Sequence, residues 1–158
     1  MKKAFLLIIL FWTLETNSQD TTASVKQIDL LVNTIKNLTS HTDSTLADVP
    51  AMNFWMKTYI TTTKDSTQFR KWAIYQIGRQ KLNDTLREIK ASTALYFDQN
   101  KLIKAEEFSN EDGKEVYADW YFQDDKALYY TFKNSHSEKR VLYLLDLAKK
   151  ILEDLKNN

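Results

Sequence analysis

Two acidic residues, Glu106 and Asp119, are candidates for chemistry in this sequence. A tight turn at Asp112–Gly113, a dipeptide common in β-hairpins, would place the two carboxylates directly opposite each other on adjacent strands. Neighbouring carboxylates raise the pKa of one of the pair, which suits acid–base catalysis, and they can also bind a cation or sugar hydroxyls beside aromatic rings. The alternative is a solvated sheet face on which Lys104 neutralises the repulsion between the two acids.

Counting residue pairs outwards from the neighbouring turns predicts a set of ligand-binding residues around this pair. Further turns at Gln99–Asn100 and Asp124–Asp125 complete a meander in which directly opposed residues share one face of the sheet. One face is then rich in alanine and apolar side chains, whereas the other mixes aromatic rings with charges. Helices do not readily bury charges without partners, so we expect them to cover the alanine-rich face and to leave the charged face at least partly open. The candidate ligand-binding residues on that open face are Lys104, Glu106, Asp119, Tyr121 and Tyr130.

The predicted register decides which side chains share a face. The first turn pairs Tyr96 with Ile103, and the third turn pairs Tyr121 with Leu128. Tyr96 and Trp120 therefore fall on the alanine-rich face, beneath the helices. A slip of one residue in any hairpin would exchange the two faces.

The first eighteen residues have the three-part layout of a secretory signal peptide. Two lysines give a positive start, residues 4–12 form an apolar run, and small residues precede a cleavage site between Ser18 and Gln19. The apolar run is about half of the ~20 residues that a membrane-spanning helix needs. The sequence therefore predicts an exported protein that is periplasmic, on the cell surface or secreted, with signal peptide 1–18 and no transmembrane span in the mature chain.

Composition narrows the function classes. The chain has 158 residues, and its 22 basic and 21 acidic residues give a net charge of +1, without the positive excess typical of nucleic-acid binders. It contains no cysteine, which excludes disulfides, thiolate metal sites and cysteine nucleophiles. Two glycines cannot build a phosphate-binding loop, and no catalytic sequence motif is present. We therefore assign no catalytic residue, no metal and no cofactor, and expect no nucleic-acid partner.

Residues 19–158 are predicted to form one α+β domain. Apolar residues repeat at helical spacing over 25–38 and over 137–156, and both segments begin at a capping-box sequence. Residues 53–132 are rich in Thr, Tyr, Trp, Phe and Ile and are broken by turn sequences, which is typical of β-strands. Residues 39–50 are polar and are predicted to be a connection. We expect an antiparallel β-meander of five or six strands with both helices packed on one face.

A short sequence recurs 25 residues later within the predicted sheet. Tyr96–Leu102 (YFDQNKL) and Tyr121–Ala127 (YFQDDKA) each indicate a strand, a tight polar turn and a second strand. With the signal peptide ending in Asn-Ser-Gln and the closing helix, these hairpins resemble small exported α+β proteins of Bacteroidota. The resemblance covers residues 1–18 and 94–155. It implies export and an α+β fold, and it carries no catalytic motif.

Three functions are compatible with these patterns. The first is an exported binding or interaction module that recognises a protein, a peptide or a glycan on its open sheet face. The second is a small hydrolase or lyase that uses the Glu106/Asp119 pair with Tyr121 or Tyr130. The third is a structural protein of the cell envelope without a small ligand. A deep pocket around the acids would favour catalysis, whereas a flat, exposed sheet would favour binding.

Overall fold

The computed structural model describes residues 20–37, 42–49, 54–62, 68–82, 85–111, 113–132 and 136–156. The predicted signal peptide and its cleavage site lie outside the described residues. Helix α1 is described over residues 20–36, so it extends further towards the N-terminus than the predicted start at residue 25 and ends two residues before the predicted end. Helix α2 covers Ser137–Lys156, where the second apolar repeat predicts it.

In the part of the chain that the structure describes, seven antiparallel strands form one sheet in which each strand pairs with the next one in the chain. The strands are β1 (Thr42–Val49), β2 (Phe54–Thr62), β3 (Phe69–Leu82), β4 (Thr85–Asp98), β5 (Lys101–Glu111), β6 (Lys114–Gln123) and β7 (Lys126–Tyr130). The predicted α+β meander is confirmed, with six strands in the predicted region 53–132. The additional strand, β1, lies in the segment 39–50 that was expected to be a connection. Its backbone pairs with β2 although its polar composition is not typical of a strand.

The hairpin of β5 and β6 has the predicted register. Glu106 pairs with Asp119, and Lys104 pairs with Tyr121. Gly113 in the turn has a φ of +82°, a left-handed conformation that glycine adopts without steric cost. The turn sequence was therefore sufficient to place the two carboxylates side by side.

The flanking hairpins, β4–β5 and β6–β7, are closed by tight two-residue turns. All four turn residues have positive φ, between 48° and 60°, as in the type I′ turns that match the twist of hairpin strands. These residues are Gln99, Asn100, Asp124 and Asp125. In both hairpins a β-bulge follows the turn, so that one strand holds one residue more than its partner.

The bulge in the first hairpin exchanges the faces of β4. Phe97 pairs with Leu102 as predicted, but Tyr96 then pairs with Lys104, which leaves Ile103 as the extra residue. Side chains alternate along a strand, so a shift of one position moves every following residue of β4 to the opposite face. Tyr96 therefore lies on the face of Lys104, and the prediction that it faces away from Lys104 is wrong.

The bulge in the third hairpin has the same effect on β7. Tyr121 pairs with Tyr129 rather than with Leu128, and Trp120 pairs with Tyr130. The rings of Trp120 and Tyr130 are in contact, with centroids 5.2 Å apart. Tyr130 therefore lies on the face opposite to Tyr121, which corrects its predicted place in the ligand-binding set.

Helix α2 covers one face of the sheet, which we call the α2 face. The buried sheet residues of this face are Leu95, Phe97, Leu102, Ala105, Trp120 and Phe122. Leu144, Ala148 and Ile151 of the helix belong to the same apolar cluster, at the spacing that places them on one side of a helix. At the N-terminal end of α2, Arg140 forms an ion pair with Glu107, and the indole nitrogen of Trp120 donates a hydrogen bond to Glu107 Oε2 at 2.9 Å.

Helix α1 covers the opposite face, which we call the α1 face. The sheet residues that define it are Tyr96, Lys104, Glu106, Asp119 and Tyr121. Val32 and Ile35 of the helix form a second buried cluster with Tyr96, and Asp29 bonds to Lys104 and Tyr121. The two helices thus lie on opposite faces instead of the single face expected from the sequence. Since α1 carries its own charges, it can cover charged positions that an apolar helix could not.

Candidate functional site

The strand register arranges the α1 face into three rows of side chains that run across the sheet. Each row takes one residue from each of β3, β4, β5 and β6. The lysine row is Lys71–Tyr96–Lys104–Tyr121, the carboxylate row is Ala73–Ala94–Glu106–Asp119, and the aromatic row is Tyr75–Ser92–Phe108–Tyr117. Helix α1 contacts the lysine row and, through Lys36, Glu106. The aromatic row and most of the carboxylate row remain accessible beside it.

Lys104 is the centre of a charge network beneath α1. Its side chain is 7% exposed, and its ammonium lies 2.9 Å from Asp29 Oδ1, 3.2 Å from Glu106 Oε1 and 3.5 Å from Asp119 Oδ2. The Tyr121 hydroxyl donates to the same Asp29 oxygen at 3.0 Å. Burial alone would lower the pKa of Lys104, but its hydrogen bonds and the three carboxylates raise that pKa above the usual range. Lys104 is therefore a permanent cation that offsets part of the negative charge of Asp29, Glu106 and Asp119.

Glu106 accepts two further hydrogen bonds. Lys36 of α1 donates to Oε1 and the Tyr96 hydroxyl donates to Oε2, both at 2.8 Å. Burial would raise the pKa of Glu106, but the bonds from Lys36 and Tyr96 and the charge of Lys104 hold it below its usual range. Burial and the Glu106 charge raise the pKa of Tyr96, so the phenol keeps its proton. Glu106 is thus ionised at neutral pH and cannot serve as a general acid there.

We expect Tyr96→Phe to raise the pKa of Glu106 towards its usual value, because the substitution removes one hydrogen bond to the charged form and keeps the buried ring. The measurement is an NMR titration of the Glu106 carboxyl carbon in both proteins. A group with a lowered pKa in the folded state stabilises the fold at neutral pH, and this contribution is lost as the pH falls through that pKa. Tyr96→Phe should therefore reduce stability more at pH 7 than at pH 3. An unchanged Glu106 midpoint would contradict the assigned bond.

An open groove lies between the C-terminal end of α1 and the aromatic row. Its main cavity has a volume of about 600 Å³ and is lined by residues of all three rows, among them Lys71, Ala94, Glu106 and Asp119. A smaller cavity of about 280 Å³ shares Lys71 and Tyr75 with it and reaches Ile35 and Lys36 of the helix. We refer to both cavities together as the groove.

Tyrosine rings form one wall of the groove. Tyr117 is 65% exposed and Tyr75 is 43% exposed, although both are large aromatic side chains. The Tyr117 ring contacts Phe108 with centroids 5.0 Å apart, and the Tyr75 ring contacts Tyr59 edge-on at 5.5 Å. These ring contacts fix the positions of the tyrosines, while the exposed parts of the rings remain available to a ligand.

Lys71 is the cation of the groove that has no acidic partner among the described residues. Its ammonium lies 5.5 Å from the centre of the Tyr96 ring, and in the part of the chain that the structure describes no carboxylate lies within ion-pair distance. Burial and the nearby Lys36 charge lower the pKa of Lys71. An anionic group in the groove would relieve both effects, because an opposite charge favours the charged form of the amine.

The structure brings together four of the five residues predicted from the sequence. Glu106 and Asp119 line the groove. Lys104 and Tyr121 lie next to them in the network. Each is only 5% exposed, so α1 separates both residues from solvent. Tyr130 is on the α2 face because the bulge in the β6–β7 hairpin pairs it with Trp120. Only the acidic pair is therefore placed to contact a ligand directly.

Sequence reasoning missed the groove residues contributed by other strands. Tyr117 was placed opposite Phe108 by the correct hairpin register, yet it was not included in the predicted set. Lys71 and Tyr75 lie on the same face of β3, where they pair with Tyr96 and Ser92 of β4. No register was derived from the sequence for this pair of strands. Residues 71–75 are Lys-Trp-Ala-Ile-Tyr, without an alternation of polar and apolar residues, so the sequence carried no local signal for them.

None of the helices within the described segments is long and apolar enough to span a membrane. Comparison with protein-family models, with curated proteins and with solved structures found no match to this chain.

Proposed function

We propose that this chain is an exported binding module whose ligand occupies the groove on the α1 face. The observation that carries the proposal is the combination, in the same groove, of exposed tyrosine rings, carboxylate acceptors and the Lys71 ammonium, which has no acidic partner among the described residues. Ligand sites commonly combine apolar or aromatic walls with a few polar groups that fix the orientation of the ligand. The fixed ring contacts of Tyr75 and Tyr117 support recognition without a large rearrangement of the sheet.

The charges of the acidic pair favour binding over acid–base catalysis. The hydrolase or lyase alternative needs a carboxyl group that holds a proton near neutral pH. Hydrogen bonds from Lys36 and Tyr96 lower the pKa of Glu106, and Lys104 offsets part of the charge of both acids. Glu106 and Asp119 therefore suit the role of hydrogen-bond acceptors for ligand hydroxyl or amide groups.

A ligand screen with the purified protein tests this proposal. Monosaccharides, defined oligosaccharides and short peptides are added singly, and the melting temperature is measured, since a ligand that binds only the folded state raises it. We expect at least one compound to raise the melting temperature, and Tyr117→Ser to abolish the increase while lowering the melting temperature of the free protein only by the small amount expected for losing the ring contact with Phe108. The matched control is Tyr143→Ser, which removes a 50% exposed tyrosine from α2. A screen without any binder, or binders that are unaffected by both Tyr117→Ser and Tyr75→Ser, would contradict the proposal.

Export has a separate test. Cleavage between Ser18 and Gln19 is expected during secretion, so the protein recovered from its native cell envelope should begin at Gln19. Intact-mass measurement distinguishes this product from the full chain. Recovery of protein that retains Met1 would contradict export through a cleaved signal peptide.

A further inference from the structure

We infer that the groove binds an oligosaccharide in which one acidic sugar is joined to neutral sugars, with the acid group at Lys71 and the neutral sugars along the tyrosine wall towards Asp119. This inference rests on the proposed binding function and adds the class of ligand. It follows from the positions of the charges, from the direction of the groove relative to the strands and from the hydrogen-bonding groups on its floor.

The charges of the groove are separated along its length. Lys71 is on β3, whereas Glu106 is on β5 and Asp119 is on β6. Neighbouring strands are about 4.8 Å apart, so Asp119 lies three spacings, roughly 14 Å, from the strand of Lys71. This distance exceeds the Debye length of about 8 Å at physiological ionic strength, so an anion at Lys71 is screened from Asp119. Glu106 lies nearer and interacts electrostatically with Lys71, but it is already paired with Lys36 and Lys104. A ligand with acidic groups along its whole length would instead meet the acidic pair, which favours a single acid at one end.

The position of the groove argues against the common modes of peptide binding. A peptide that adds a strand needs the free edge of a sheet, but the groove crosses β3 to β6, which are paired on both sides. A helical peptide needs an apolar groove, and this floor carries Glu106 and Asp119. A sugar has both the ring faces that tyrosines can contact and the hydroxyl donors that the two carboxylates can accept.

The polar groups on the floor are matched to hydroxyl donors. Asp119 is 38% exposed, and the one ion pair that it forms with Lys104 has a distance of 3.5 Å. A carboxylate has about four acceptor positions, so Asp119 retains capacity for ligand hydroxyls. Ser92 lies in the aromatic row between Tyr75 and Phe108 and lines the same cavity. Neutral sugars therefore fit the Asp119 end, while the acid group fits Lys71.

The test compares matched acidic and neutral oligosaccharides by isothermal titration calorimetry. The probes are sialyllactose with lactose, and glucuronosyl-xylotriose with xylotetraose. We expect at least one acidic probe to bind about tenfold or more tightly than its neutral counterpart at physiological salt, with the preference reduced by high salt. Lys71→Gln should abolish the preference, and Lys71→Arg should retain it. Lys101→Gln is the control, because Lys101 is exposed and pairs with Asp124 in the turns, away from the groove.

Each other outcome overturns the inference and bears differently on the proposed function. Equal binding of acidic and neutral probes, abolished by Tyr117→Ser, would overturn the acidic class and leave the groove as a binding site. A preference that survives Lys71→Gln would place the acid group elsewhere. Tighter binding of tetragalacturonate or polyglutamate than of the mixed probes would overturn the single-acid argument. Failure of every oligosaccharide to bind would overturn the ligand class, and the peptides of the wider screen would then decide the proposed function.

Discussion

Leu144→Ala is expected to lower the free energy of unfolding by about 2–5 kcal/mol, the range for truncating a fully buried leucine. Leu144 is 0% exposed and belongs to the apolar cluster that joins α2 to the sheet. The neighbouring Leu145 and Leu152 are only partly buried, so their replacement by alanine should lower the free energy of unfolding by less. The measurement is equilibrium unfolding in urea, with the midpoint and the slope compared between variants.

The control for this prediction lies two residues away on the same helix. Leu142 is 67% exposed, so Leu142→Ala should change the free energy of unfolding by no more than about 0.5 kcal/mol. Both substitutions remove the same atoms and have the same effect on helix propensity. Equal losses in the two variants would show that α2 does not pack on the sheet through Leu144.

Lys104→Met is expected to destabilise the protein by about 1–3 kcal/mol at neutral pH, the cost of leaving charged groups without a partner. The substitution removes the cation that lies within 3.5 Å of Asp29, Glu106 and Asp119. Because these carboxylates are between 27% and 41% exposed, water replaces part of the lost interaction and the effect stays below that of a fully buried pair.

The sign of the pH dependence distinguishes lost charge from lost packing. The raised pKa of Lys104 means that its stabilising contribution is fully present at neutral and acidic pH as long as the carboxylates are ionised. The lowered pKa of Glu106 means that the stabilising contribution of its carboxylate is lost as the pH falls through that pKa. The difference between wild type and Lys104→Met should therefore be largest near pH 7 and smallest near pH 3. Equal differences at both pH values would assign the loss to packing. Lys101→Met, at an exposed pair, should lower stability much less than Lys104→Met.

The meander and its central hairpin were predictable because their signals are local. The turn predicted from the Asp-Gly dipeptide implies the register of β5 and β6 that the structure has, and that register places Glu106 opposite Asp119. The C-terminal helix is equally local, since its apolar repeat lies within its own residues and its capping sequence lies next to them. In each case the information lies within a few residues of the feature that it determines.

The bulges were not predictable from turn composition. Phe97↔Leu102 and Phe122↔Ala127 satisfy a regular two-residue turn, and the extra residue enters only beyond them. A bulge depends on how the twist of the hairpin fits the faces that the helices cover, which is a property of the assembled layers. The sequence therefore indicated the right residues for β4 and β7 but assigned them to the wrong faces.

The side of the sheet covered by α1 depended on charges from a distant part of the chain. A helix avoids a charged face when the charges on that face have no partners. Asp29 and Lys36 of α1 supply the partners, and their pairing with Lys104 and Glu106 is visible only once the helix has docked. The acidic pair of the groove was thus predicted correctly, whereas the groove itself requires the three-dimensional arrangement.

The contacts of this fold join either residues that are close in the chain or residues that are far apart in it. This difference has a consequence for the order of folding. Strand pairing joins neighbours in the chain, so successive hairpins form with little loss of loop entropy. The bonds from Asp29 to Lys104 and Tyr121 instead span 75 and 92 residues. We therefore expect α1 to dock last, with its amides protected after those of β5 and β6 in pulsed hydrogen exchange. Earlier protection of α1 would contradict this order. If α1 docks last, the wall of the groove that contains Lys36 is completed only after the sheet, by a helix that precedes the sheet in the chain.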